Sequence, residues 1–153
     1  MLSDETNPAA CNCLALRQAA RHVTQIYDQF LAPSGLRATQ YSILARLQRR
    51  GAMTINALAA ELVMDRTTLG RNILPMQRDG LIAVGPGKSD RRSKELRLTG
   101  AGIARCRTAF KGWAKAQARF ESTFGVNRAK ELRTLLAEAA TNKPKADGNN
   151  RQA

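Results

Sequence analysis

Arg66, Thr67, Thr68, Arg71 and Asn72 stand close together in the chain and carry chemistry suited to reading nucleic acid. Arginine bonds bidentately to guanine and asparagine pairs with adenine, while threonine offers a hydroxyl to phosphate or a methyl to thymine. Further along, Lys88, Asp90, Arg91, Arg92 and Lys94 crowd one short segment behind Gly85-Pro86-Gly87. Cations there suit the phosphate backbone or the negative potential of a narrow minor groove.

Reaction chemistry is scarce by comparison. We find no nucleophile with a base and no carboxylate pair, and Gly85-Pro86-Gly87 is too short and badly placed to cradle a phosphate. An enzyme is not expected. His22, the single histidine, has no paired spacing with Cys11, Cys13 or Cys106 of the kind zinc sites show, so neither a metal nor a cofactor is expected.

Positioning these residues requires a particular run of elements. Leu16, Ala19, Ala20, Val23, Ile26, Tyr27 and Phe30 recur at spacings of three and four and predict a long amphipathic helix ended by Pro33-Ser34-Gly35. Thr39 is expected to cap a second helix through Tyr41, Ile43, Leu44 and Leu47, and Thr54 a third over Ile55 to Val63. Asp65 opens the fourth, whose apolar side is Leu69, Ile73 and Met76 and whose outer side is Arg66, Thr67, Thr68, Arg71 and Asn72. Pro75 removes the hydrogen bond to the Arg71 carbonyl and is expected to kink it.

Leu81-Ile82-Ala83-Val84 and Glu95-Leu96-Arg97-Leu98 read as two strands of a hairpin with a basic tip. Thr99 caps a fifth helix through Ile103, Cys106, Phe110, Trp113 and Phe120, and a sixth begins near Asn127 with Ala129, Leu132, Leu136 and Ala139 on one face. Cys106 falls within the apolar stripe and reads as core. Residues 142–153 carry little to bury and are expected to be disordered.

The fold class is therefore mainly α with a small β-hairpin wing, a winged helix-turn-helix. One domain over residues 1–141 is expected, with the winged head at about 36–98 and dimerisation helices at about 10–32 and 99–141. Phe30, Phe110, Trp113, Phe120, Leu132 and Leu136 exceed what one small head can cover, which predicts a homodimer through the first, fifth and sixth helices.

Lys and Arg number 25 against 12 Asp and Glu, a formal charge of +13 with a pI near 10.8. That excess favours double-stranded DNA as partner over a membrane surface. An acidic start, and no apolar run approaching the ~18 residues of a membrane span, predict a cytoplasmic protein. A sequence-nonspecific architectural DNA-binding protein would share the same charge; Arg71 and Asn72 favour the specific reader.

With these elements in place, the chain resembles the MarR-type transcriptional regulators. The resemblance rests on Asp65-Arg66-Thr67-Thr68-Leu69-Gly70-Arg71-Asn72, on Arg78-Asp79-Gly80-Leu81-Ile82, and on Asp90-x-Arg92 followed by Leu98-Thr99-x-x-Gly102. It implies a homodimer whose two heads contact pseudo-palindromic DNA, with half-sites roughly 34–36 Å apart. It further implies that Arg92 enters the minor groove while Asp90 shapes the loop. Members are commonly repressors released by a small molecule or by oxidation.

Cys13-Leu14-Ala15-Leu16 with Ala19, Ala20 and Arg21 is similar to the start of the first helix in the organic-hydroperoxide-sensing branch, where the cysteine at the Cys13 position is oxidised. A helix N-terminus favours the reactive thiolate form, and Cys11 is the candidate resolving partner. Tyr27 matches that branch, but Ala38 and Arg17 stand where it has aromatic residues. A small aromatic or phenolic ligand between head and dimer helices is the other release signal the resemblance implies.

Overall fold

The structure, a computed structural model, describes residues 7–141. The tail at 142–153 lies outside the described residues. The chain divides into two compact units at Gln117 and Ala118, a boundary inside one helix.

The first unit begins with a short 3-10 turn at Pro8–Ala10 and helix α1, Asn12–Leu31. Cys11 sits at the N-cap, its sulfur accepting the Leu14 N–H at 3.4 Å. A second 3-10 turn, Ala32–Ser34, and Gly35 lead into α2, Ala38–Arg50. Thr39 does not cap α2; it lies inside it. The end is closed instead by Gln40, whose Oε1 accepts the Arg37 N–H at 3.0 Å, and by Asp28 of α1, whose Oδ1 accepts the Ala38 N–H at 2.7 Å. A tertiary acceptor replaced the local one.

Strand β1, Met53–Thr54, precedes α3, Ile55–Glu61, which Thr54 caps by accepting the Ala57 N–H at 3.1 Å. Then come α4, Arg66–Arg78, the strands β2, Ile82–Pro86, and β3, Lys94–Leu98, and α5, Gly100–Phe124. The sheet runs β1-β3-β2, antiparallel throughout, with Met53 opposite Leu96 and Ile82 opposite Leu98. The hairpin thus gains a third strand, too short for its two residues to show alternation in sequence.

Burial explains the layout. Leu44, Leu47 and Ile43 of α2, Leu58 of α3, Leu69, Ile73 and Met76 of α4, and Leu81, Ile82 and Leu96 of the sheet form one core, joined by Leu31 and Cys106. Removing a methylene from such packing is felt at once, because interiors are as dense as organic crystals. Pro75 lies inside α4, yet the last turn forms: the Asp79 N–H reaches the Pro75 carbonyl at 2.9 Å.

Both helices of the helix-turn-helix end alike. After α4, the Leu81 N–H bonds to the Met76 carbonyl and the Gly80 N–H to that of Gln77, with Gly80 at φ 71°. After α3, Met64 and Val63 make the equivalent bonds to Ala59 and Ala60, with Val63 at φ 50°. This is the Schellman ending, which favours glycine at the left-handed position. A β-branched residue there is strained by about 1–2 kcal/mol, of which glycine's extra unfolded-state freedom returns about 0.5–1. Because Val63 is 72% exposed and packs little, Val63→Gly is expected to stabilise the head by about 0.5–1 kcal/mol. A thermal melt should show a rise of a few degrees; an unchanged or lower midpoint would remove the strain assignment.

At the start of α5, Thr99 accepts the Gly102 N–H at 3.0 Å and donates its own hydroxyl to the Gly80 carbonyl at 2.6 Å. A Cβ at Gly102 would overlap the Leu81 carbonyl oxygen. The end of α4, the start of β2 and the start of α5 are therefore locked together backbone to backbone.

The second unit holds the end of α5 and helix α6, Val126–Thr141, joined by Gly125. Phe120 and Phe124 stack at 5.2 Å, Arg128 lies over the Phe124 ring at 4.5 Å, and Ala129 is buried.

Candidate nucleic-acid interface

The start of α4, and with it the placement of its outer residues, is set by one capping interaction. Asp65 Oδ1 accepts the Thr68 N–H at 2.8 Å and Oδ2 accepts the Thr68 hydroxyl at 2.6 Å. These bonds hold the Asp65 carboxyl below its ordinary value, the side-chain bond from Thr68 contributing most. The carboxylate form is the one that caps, so its stabilisation is complete above the ordinary carboxylate pKa and is lost as pH falls through the lowered one.

Beyond that cap, Arg66, Thr67, Gly70 and Arg71 are exposed, opposite the buried Leu69, Ile73 and Met76. Arg66 and Arg71 make no ion pair with another described residue. Their guanidinium groups are available to phosphate or to a base edge. Thr68 is exposed, but its hydroxyl proton is given to Asp65. Asn72 lies at the edge of that outer face. It is half-buried, and its Nδ2 donates to the Thr68 carbonyl at 2.9 Å, a back-bond that helical asparagines favour.

The wing tip is shaped by Asp90. Its Oδ1 accepts the Arg92 N–H at 2.9 Å, and its carbonyl accepts the Ser93 N–H at 3.1 Å and the Ser93 hydroxyl at 2.8 Å. Lys88, Arg91, Arg92 and Lys94 all stay exposed around this turn and have no carboxylate partner among the described residues. Arg97, which the sequence reading passed over, braces the wing from behind: its Nη2 donates to the Pro86 carbonyl at 3.1 Å and to Glu95 Oε2 at 3.2 Å. Strand alternation alone gave it no distinguishing signal.

Cys11 and Cys13 are exposed at the start of α1, and Cys106 is buried, its thiol pushed up by burial. His22 is exposed on α1, and among the described residues no three His, Cys, Asp or Glu side chains come together. No helix of the described residues is long and apolar enough to cross a membrane.

A cleft of about 340 Å³ opens between α2, the end of α3 and α5, lined by Tyr41, Arg46, Arg49, Leu62 and Trp113. Trp113 tilts against Tyr41 at 6.3 Å and stacks on Phe110 at 5.6 Å. Arg46 is held by Glu61 at 3.3 Å, whereas Arg49 has no such partner among the described residues. Burial, and then neighbouring Cys106, push the Tyr41 hydroxyl up, so it stays a neutral donor. These residues lie far apart in sequence, and no local pattern joins them.

A helix-turn-helix followed by a basic wing defines the class of winged-helix DNA-binding transcriptional regulators. The MarR family model matches residues 36–94, the segment from before α2 to the start of β3. The crystal structure of the transcriptional regulator MosR of M. tuberculosis is 37% identical with a TM-score of 0.74, over 86% of this chain and 96% of that one. MosR in complex with DNA is 39% identical with a TM-score of 0.71, over 86% and 99%. The chain belongs to the MarR family. It is also 32% identical over 90 residues to the transcriptional activatory protein BadR of Rhodopseudomonas palustris, a match of 57% of this chain and 51% of BadR. The match spans about half the length of that curated relative.

Proposed function

We propose that the protein is a sequence-specific regulator that binds pseudo-palindromic operators as a homodimer, with α4 in the major groove and the wing beside it. The observation that carries this reading is the pairing, in one small fold, of exposed Arg66 and Arg71 on α4 with exposed Arg91 and Arg92 on a tip shaped by Asp90. Thr67 and Thr68 join the helix contacts, Asn72 contributes its remaining amide groups, and Lys88 and Lys94 meet phosphates. The charge of +13 supports a polyanionic partner, and the similarity to MosR in complex with DNA supports that partner being DNA.

Leu14, Leu16, Phe110, Leu135 and Leu136 remain exposed in the single chain, which supports a second copy as their cover. Phe30, Trp113, Phe120 and Leu132 are partly buried already, so the apolar surplus is smaller than the sequence reading counted.

In this reading the protein works in the cytoplasm as a repressor released by a small aromatic anion. The cleft beside Trp113 supports that signal: rings to stack on, and Arg49 to meet a carboxylate or phenolate. Oxidation of Cys13, with exposed Cys11 as resolving partner, is the second release route.

An operator titration against random competitor DNA tests the core of the proposal. Preference of about a thousandfold or more is expected. Equal affinity for both would leave an architectural binder instead. Benzoate release of wild type but not of Arg49→Ala, or hydroperoxide release of wild type but not of Cys13→Ser, separates the two signals. A reporter that falls on deletion of the gene would reverse the repressor assignment.

The wing makes its own prediction. Lys88→Ala is expected to weaken cognate and random DNA about equally and to flatten the slope of log affinity against log salt by about one unit. A selective loss on the operator would move Lys88 from phosphate contact to base reading.

A further inference from the structure

A second cleft lies behind the wing, and of its lining the DNA-binding reading uses Lys88 alone. It has a volume of about 390 Å³, within the range of roughly 300–1,000 Å³ typical of small-molecule sites, and shares no lining residue with the cleft beside Trp113. Leu47 from the end of α2, Leu98 from β3 and Ile103 from α5 give it an aliphatic wall, and Ile103 is 39% exposed there. Lys88 and Arg97 supply the charge, and Gln48 an amide.

The chemistry of this lining is selective. The lining has two cations and no carboxylate; Arg97 is paired at 3.2 Å with Glu95 from outside the lining, so Lys88 carries the unpaired charge that favours an anion. It has no aromatic ring, so nothing rewards a planar ligand by stacking. Arg97 also carries a buried Nε–H with no hydrogen-bond partner among the described residues, although its Nη2 is bonded to Pro86 and Glu95. A buried donor left without an acceptor is a costly exception in folded proteins.

We propose that this cleft is a binding site for a small aliphatic carboxylate, with the head group between Lys88 and Arg97 and the hydrocarbon against Leu47, Leu98 and Ile103. The site goes beyond the operator-binding reading and does not depend on it. Lys88 belongs to both, so an occupied cleft would draw a wing cation away from phosphate.

Calorimetric titration of the full chain with octanoate, without DNA, tests the site. Saturable binding with one octanoate per chain is expected, at least about tenfold tighter than acetate because the chain length adds buried methylenes. Lys88→Ala should weaken it about tenfold, and Ile103→Glu, at an exposed position that the fold tolerates, should abolish it while thermal melting stays cooperative. Arg49→Ala, in the other cleft, should leave octanoate binding unchanged. No saturable binding, equal affinity for acetate and octanoate, or loss only in Arg49→Ala would each overturn the proposal. Because no DNA is present, any of those failures leaves the operator reading standing, and failure of the operator titration leaves this site standing.

Discussion

Gly112→Leu is expected to destabilise the first unit by about 3 kcal/mol or more, a large fraction of the roughly 5–15 kcal/mol that holds a typical domain folded. The cause is a backbone-to-backbone crossing. A Cβ at Gly112 of α5 would overlap the Phe30 carbonyl oxygen of α1, with the Phe30 carbonyl carbon 3.1 Å away and Leu31 Cα 3.5 Å away. None of these atoms is the far end of a flexible side chain, so α1 must move bodily. Moving it breaks the Tyr27 hydroxyl donation to Gln117 Oε1 at 2.6 Å and opens the core at Leu31, which is 1% exposed. Urea unfolding followed by the single tryptophan, Trp113, reads the event next to its cause.

Gly70→Ala provides the contrast. A Cβ there meets nothing within 4 Å, on an exposed face inside α4, so the same class of substitution should stabilise by about 0.5–1 kcal/mol through helix propensity alone. Similar midpoints for wild type and Gly112→Leu would show that the two helices are not in backbone contact.

The second large effect is on binding. On the proposed function, Arg71→Ala is expected to cost about 1–3 kcal/mol on cognate DNA and to relax sequence preference at the base pair it reads. Arg71 is exposed and makes no ion pair with another described residue, so its removal should leave the melting temperature nearly unchanged. The loss would then belong to recognition. A change equal on operator and random DNA would assign Arg71 to the backbone and shift base reading toward Arg66 or Thr67.

Legibility differed between elements for physical reasons. The helices were readable because apolar residues at spacings of three and four mark a buried stripe wherever the partner lies. Thr54, Asp65 and Thr99 were readable as caps because capping is satisfied within three residues. Thr39 was misread as a cap because an acceptor from α1, Asp28, together with Gln40, took that role. The Asn72 bond to the Thr68 carbonyl was not readable, because the choice between that carbonyl and an outward pose is made by local competition for hydrogen bonds, to which periodicity is blind.

By itself the chain of residues determined the element order, the cationic faces of α4 and the wing, and the winged-helix class, since each rests on patterns a few residues long. Tertiary structure decided what needed distant residues to meet. It brought β1 onto β3 and closed α5 on α1 at Gly112. It also assembled the cleft at Trp113 from α2, the end of α3 and α5, and the cleft at Arg97 from α2, α5 and the sheet with its wing. Side chains of that kind are neighbours only after the core around Leu44 and Leu96 has formed, because burial of that core, and no local preference, holds them together.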